Sequence, residues 1–339
     1  MELIDTRRND LATWLRGPLQ SLPDIILPMP GDASFRRYFR ILQGGTSYVV
    51  MDAAPEQGND VRPFMAIADA LRALGLCTPE VVAADVERGF LLLTDFGNST
   101  YLHALNHESA DRLYSQALDA LSVLQGCRHV PDWVVPPFTR QFMWQEWQWF
   151  QEWFLDRYLQ LSLMSTKTAA LQSCMQLIIE SAANQPQVFM HRDFHSANLM
   201  VLKQSAGILD FQDAFIGPVT YDLVSLLRDC YIAWPHEKVQ AWALSYRDRL
   251  IASQVLEVSE EVFLRWFDWM GVERHLKALF TFSRKHLRDN TPHYLQHIPR
   301  TLEYLTATTG RYAELAPLHD FLQMDLLPGY QKVAEQCAV

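Results

Sequence analysis

The sequence is short of cysteine, of positive charge and of long apolar runs. Five cysteines in 339 residues, at 77, 127, 174, 230 and 337, form no close pair and no C-x-x-C, so neither a zinc site nor a disulfide framework is indicated. A scattered, odd set fits reduced thiols, and a cytoplasmic protein is expected. No run reaches the roughly 18 apolar residues of a membrane span, and residues 1–8 lack an apolar signal core, so no membrane association is expected. Lys and Arg number 29 against 39 Asp and Glu, a net charge of −10. That balance argues against nucleic acid as a partner, because phosphate backbones are held by clustered Lys and Arg. No internal repeat or low-complexity tract is present. With 49% hydrophobic and 20% charged residues, the chain is globular and long enough for one large or two ordinary domains.

Along the chain, apolar positions in residues 1–20 predict an amphipathic helix ended by Gly17-Pro18, followed by a proline-marked loop or edge segment over 21–30. Residues 35–42 read as a strand, Gly44-Gly45 as its turn, and 47–52 as the returning strand. A helix over 61–74 and strands over 81–86 and 90–94 complete a small sheet-bearing half. Beyond about residue 99 the pattern turns helical, with helices at 109–124 and 170–183. The stretch 144–154 is the most aromatic of the chain. Its rings fit either core packing or, with Glu146 or Glu152, one wall of a sugar pocket.

The chain is organised around 188–202 and its echo at 207–213. Apolar runs at 188–190, 199–202 and 207–209 read as short strands, the last two joined by a polar hairpin loop. Their ends deliver Asp193, Asn198 and Asp210 to one rim. This set suits phosphoryl transfer. A carboxylate accepts the proton of an attacking hydroxyl, while hard oxygen ligands hold Mg²⁺ against phosphates. H-R-D-x-x-x-x-N followed by a strand-borne Asp is the layout of a kinase catalytic loop and its metal-binding Asp. Asp193 is then the base, and Asn198 and Asp210 are the metal ligands. The alternative is that Asp193 and Asn198 merely cap turns. Asp95-Phe-Gly97 spells a kinase metal motif but precedes the loop it should follow. Residues 93–98 read instead as the end of a strand and a hinge, with Thr94 and Asp95 near the nucleotide.

A kinase ordinarily carries a Lys on its third strand to hold the phosphates and a Glu on the next helix. Here Met51 or Asp52 falls where the Lys should, and the helix around 64–67 lacks the Glu. Arg36, Arg37 and Arg40 on the neighbouring strand are candidate substitutes, since Arg grips phosphate bidentately. Strand alternation sends Arg36 and Arg40 to one face and Arg37 to the other. The turn at 31–34, with Ser34, offers amides to phosphate. The bland reading is a solvated, charged edge.

His191-Arg-Asp-Phe-His-Ser-Ala-Asn198 resembles the aminoglycoside-phosphotransferase and choline-kinase form of the catalytic loop, and Ile208–Asp213 with Gly217–Leu223 resembles that family's metal-binding segment. Gly31–Arg40, Leu227–Pro235, Arg274-His-Leu-Lys277 and Phe282-Ser-Arg284 resemble the N-acetylmuramate/N-acetylglucosamine anomeric kinases of peptidoglycan recycling. The resemblance covers roughly residues 10–310. It implies an α+β, protein kinase-like bilobal fold: a small antiparallel-sheet N-lobe over 1–95 and a larger, mostly helical C-lobe over 96–339. It also implies ATP and Mg²⁺ as cofactors and a small sugar as acceptor. Arg192 stands where the family usually has Gly; it is expected either to approach the phosphates or the acceptor, or to be structural. Asp213 is a candidate for a second metal or the acceptor, and Asp222 a buttress of the catalytic loop. Glu146, Arg274 and Arg288 are candidate acceptor contacts, one Arg being a natural partner for a lactyl carboxylate. The other readings are another small-molecule kinase of the aminoglycoside or choline type, or a nucleotide-binding pseudokinase.

Overall fold

The structure is a computed structural model that describes residues 5–29, 36–163 and 165–337. Ser34 and the turn at 31–34 lie outside the described residues.

The first half of the fold is a five-stranded antiparallel sheet. Its strands are β1 (Ile25–Pro28), β2 (Arg36–Gln43), β3 (Thr46–Ala53), β4 (Val81–Asp85) and β5 (Phe90–Thr94), in the spatial order β1-β2-β3-β5-β4. Gly44 and Gly45, at φ 55° and 82°, make the β2–β3 turn, a geometry that glycine adopts without strain. Alternation gives the sheet two apolar faces. One carries Phe39, Ile41, Val50, Phe90 and Leu92, covered by Leu11 and Leu15 of α1 (Thr6–Leu19). Each such leucine contributes about 1.5–3 kcal/mol by leaving water. The expected stop at Gly17-Pro18 comes two residues late: Pro18 sits within the last turn, and the helix ends at Gln20 in the left-handed conformation. There the carbonyls are unpaired anyway.

The other face carries Met51, Leu91 and Leu93 and packs on Phe64, Ile67 and Leu71 of α2 (Arg62–Ala73). Phe64 packs against Phe211 of the second half, tilted, at 4.8 Å between ring centroids, so one apolar core runs from the sheet into the helices.

That second half is mainly helical, as expected. It holds α3 (Tyr101–Ala104), α4 (Ala110–Gln125), α5 (Arg140–Trp149), α6 (Ser165–Ala183), α7 (Tyr221–Leu227), α8 (His236–Ala252), α9 (Glu260–Asp289), α10 (Ile298–Thr309), α11 (Ala316–Phe321) and α12 (Leu327–Cys337). The aromatic run begun in α5 continues as a wider π-type helix over Phe150–Tyr158. Trp147, Phe150 and Phe154 are buried, so most of these rings are core. Two small sheets interrupt the helices: β6 (Gln187–Met190) with β9 (Phe215–Pro218), and, between them in the chain, the hairpin of β7 (Leu199–Val201) with β8 (Ala206–Ile208). Both are antiparallel. α9, 30 residues and about 45 Å long, packs on α5, α6, α7, α8 and α10.

The halves meet at 94–100. Ile208 N–H donates to the Cys77 carbonyl and Val201 N–H to that of Ser99. Gly207 is required there, because a Cβ would stand 2.9 Å from the Phe96 ring and 3.0 Å from Met200 Cβ.

Candidate active site

β6 ends at Met190, and the chain turns sharply through His191-Arg-Asp. Arg192 adopts φ 78°, in the left-handed region. A non-glycine residue there carries roughly 1–2 kcal/mol of strain, which explains why glycine suits this position. The strain is held from below. Asp222, in the first turn of α7, accepts the amide N–H of His191 at 2.6 Å and of Arg192 at 2.9 Å. It is the buttress expected from the sequence. Burial raises the Asp222 carboxyl to about 7 against the pull of those two amides. Asp229 holds the far end of the loop, accepting from Ser196 N–H at 2.9 Å and from its hydroxyl at 2.5 Å. His191 is structural: its Nε2 donates to the Leu209 carbonyl and its Nδ1 accepts from the Asp193 amide. His195 is half-buried, its ring edge-on to Tyr231 at 5.2 Å. We expect Asp222→Ala to lower kcat about 10- to 100-fold with the KM for nucleotide little changed. Two buried amides lose their acceptor and the loop drifts by a fraction of an ångström. Steady-state kinetics on the purified variant check this.

Asp193, Asn198 and Asp210 converge as expected. Asn198 Nδ2 donates to the Asp193 carbonyl at 3.0 Å and lies 3.5 Å from Asp210 Oδ2. Asp210 is exposed and left-handed at φ 62°, a conformation Asp tolerates. Gln212 Nε2 ties it to Asp213, at 2.7 Å and 3.3 Å. Asp193 accepts from Lys277 of α9, Nζ to Oδ1 at 2.7 Å, and keeps 32% of its side chain open. Burial works against its charge, but Lys277 foremost, then His195 and Arg192, outweigh burial and hold the carboxyl well below the ordinary range. In the sequence Lys277 stands only within a stretch that resembles the sugar kinases; its meeting with Asp193 spans 84 positions.

The three β2 arginines part company. Arg36 approaches Asp213 at 4.0 Å, on the catalytic rim. Arg37, on the opposite face, donates to Asp52 at 2.6 Å and to Asp5 at 2.5 Å. Asp52 is buried and also takes Arg7 of α1 at 2.6 Å. The structure therefore commits Arg37 and Asp52 to fastening α1 and does not bring Arg37 to the rim. Arg40 clasps the hinge: it donates to Asp95 at 2.6 Å and 3.0 Å, to the Gly97 carbonyl at 2.9 Å, and to Asn98. Asp95 thus has its carboxylate occupied. Thr94 accepts the Glu80 amide. Met51, at the missing lysine's place, is buried in the core.

On the other side of the catalytic loop, Arg192 Nη2 donates to buried Glu146 at 3.0 Å. The guanidinium lies over the rings of Phe142 and Phe215, at 5.3 Å and 5.2 Å. Glu273 of α9, one turn before Lys277, faces Glu146. Burial first, and then Glu146, push its carboxyl well above the ordinary range. The sequence reading did not single out Glu273; its i, i+4 spacing from Lys277 was the available signal. Arg274 is buried beside Cys230, 3.9 Å from its Sγ. Arg288 is exposed and pairs with Asp289 at 2.6 Å. Eleven residues beyond Lys277, it is about 16 Å further along the helix. The structure does not bring Arg288 to Asp193.

Comparison with known proteins gives a consistent picture. The model of the phosphotransferase enzyme family matches residues 25–260. N-acetylmuramate/N-acetylglucosamine kinase of Pseudomonas aeruginosa is 40% identical over 94% of this chain and 96% of its own length. The protein of the same name from Neisseria meningitidis is 37% identical over 93% of this chain and 95% of its own. Among solved structures, choline kinase LicA from Streptococcus pneumoniae superposes with TM-score 0.65 at 12% identity, over 89% of this chain and 100% of that one. ADP-bound aminoglycoside phosphotransferase APH(2'')-Ib gives TM-score 0.61 at 14% identity, over 90% and 99%. The expected kinase-like α+β fold is thereby borne out.

Proposed function

The chain belongs to the phosphotransferase enzyme family, and from that premise we propose that it transfers the γ-phosphoryl of ATP to the anomeric hydroxyl of N-acetylmuramate and N-acetylglucosamine. The observation that carries this is the meeting of Asp193, Asn198 and Asp210 on one rim, in a chain 40% identical to kinases named for those two sugars. Asp193 accepts the hydrogen of the attacking hydroxyl and aims its oxygen. With a largely dissociative transition state, positioning counts for more than basicity, so a carboxylate held ionised by Lys277 suffices. Lys277 places a positive charge beside the oxygen that takes up the phosphoryl group.

Asn198 and Asp210 fit magnesium. Asn198 spends its amide N–H on the Asp193 carbonyl, leaving its oxygen for a cation, and Asp210 offers an exposed carboxylate. One or two such ligands plus phosphate oxygens are what Mg²⁺ takes. Bound there, it supplies charge neutralisation on the phosphates. Of the β2 arginines, Arg36 is the one on the rim, and it takes the place of the absent strand lysine. The sheet half, 1–95, then holds the nucleotide, and 96–339 the catalytic loop and acceptor. Phe142, Trp149 and Phe215, all partly exposed, give apolar faces on which a sugar ring stacks.

The test is ADP release from Mg-ATP with each sugar separately, the product read by phosphorus NMR. An anomeric phosphate from either sugar supports the reading. ATP binding without turnover of either sugar sinks it.

A further inference from the structure

The two sugars named for the relatives differ in one ionisable group. N-acetylmuramate carries a lactyl ether carboxylate that N-acetylglucosamine lacks. A site serving both needs a cation for that carboxylate, placed one sugar ring away from Asp193. The basic residues of α9 and α10 are the candidates, and the structure separates them. Arg274 is buried beside Cys230. Arg288 is neutralised by Asp289. Arg300 donates to the Cys230 carbonyl at 3.2 Å and lines a separate cavity of about 380 Å³ with Trp234 and Tyr304.

Arg284 is different. Among the described residues no carboxylate lies within ion-pair distance of it, and its Nε is buried without a hydrogen-bond partner. It falls on the same face of α9 as Glu273, Lys277 and Phe280, at spacings of four, three and four. Seven residues separate it from Lys277, about 10 Å along the helix. Two flexible side chains reaching toward each other close that gap to about the size of one sugar residue. An aromatic wall spans the same interval. Arg192 lies over Phe142, Phe142 meets Trp149 at 6.0 Å, Trp149 meets Phe280 at 5.7 Å, and Arg284 lies 5.7 Å over Phe280. Burial first, and then the neighbouring Arg288, disfavour the charge on Arg284 and outweigh the more distant pull of Asp289 and Glu146. With no carboxylate at ion-pair distance, that guanidinium gains a direct partner from a ligand that brings one, and such a ligand is bound in preference to a neutral ligand.

We propose that Arg284 is the carboxylate-binding residue of the acceptor site and sets the preference for the acidic sugar over the neutral one. The inference rests on the sugar-kinase reading. With the sugar's reacting hydroxyl at Asp193 and Lys277, its ring lies along Trp149 and its lactyl carboxylate meets Arg284.

The experiment compares wild type with Arg284→Met and Arg284→Lys on both sugars. For Arg284→Met the KM for N-acetylmuramate rises about 10- to 100-fold, the range of one charge-assisted contact, while that for N-acetylglucosamine stays within about twofold and kcat is retained. Arg284→Lys recovers part of the loss. The methyl ester of N-acetylmuramate behaves with wild type as the free acid behaves with Arg284→Met. The unchanged N-acetylglucosamine kinetics serve as the control for folding. Equal effects on both sugars, or no effect on either, overturn the role of Arg284 and leave the kinase reading intact. A wild type that phosphorylates neither sugar overturns both.

Discussion

Asp193→Asn is expected to lower kcat about 10²- to 10⁴-fold, some 3–5 kcal/mol of transition-state stabilisation, with ATP binding left close to wild type. The side chain keeps its shape, but an amide does not take the hydroxyl proton. Its nitrogen, if turned toward Lys277, also sets a donor against a donor. The size of the loss reads out how much the base matters. Lys277, His195 and Arg192 hold the carboxyl far on the ionised side. A carboxylate whose folded pKa lies below its unfolded value stays charged at every pH above about 4, and what its charge contributes is lost as the pH falls through the lowered folded value. The wild-type kcat profile should therefore show no acid limb from Asp193 between pH 5 and 8. Single-turnover rates across that range, on wild type and Asp193→Asn, check both statements. A variant with near-full turnover overturns the role of Asp193.

Asp210→Asn is expected to cost about 10²–10³ in kcat/KM and to raise the magnesium concentration for half-maximal rate at least about tenfold. A neutral amide replaces an exposed carboxylate on the rim, and several kcal/mol of charge stabilisation depend on the cation it is proposed to hold. Gln212, which donates to Asp210 at 2.7 Å, then loses its charged acceptor. Magnesium titrations at saturating ATP measure the effect. An unchanged magnesium dependence with lowered kcat assigns Asp210 to positioning and removes it from the metal site.

The catalytic segments were legible because their logic is local. Asp193, Asn198 and Asp210 sit at the ends of strands whose apolar runs and polar hairpin loop are all in view within 23 residues of sequence, from 188 to 210. The same holds for the sheet: the 36–53 hairpin, the α2 pattern and the 81–94 pair lie within a residue or two of where alternation and glycine put them. The arginines were less legible. Alternation correctly set Arg37 against Arg36 and Arg40, but not which face α1 would cover, nor that Asp95 would take Arg40. Among the basic residues of α9, Arg274 and Arg288 were the expected acceptor contacts. The helix turned the first into the core and gave the second its neighbouring Asp289.

By itself, then, the sequence determined the residues of the rim: the proposed base, the two proposed oxygen ligands and the backbone turn that presents them, since all lie within one short stretch of chain. Tertiary structure decided what surrounds that chemistry. Lys277 reaches Asp193 across 84 positions, Arg192 meets Glu146 across 46, and Asp222 takes two loop amides across 30 and 31. Such partnerships arise from the packing of α5, α7 and α9 on the catalytic loop. Periodicity fixes the face of a helix on which a side chain stands. What that face meets depends on how the buried apolar surfaces fit together, and this is settled only when the whole core closes.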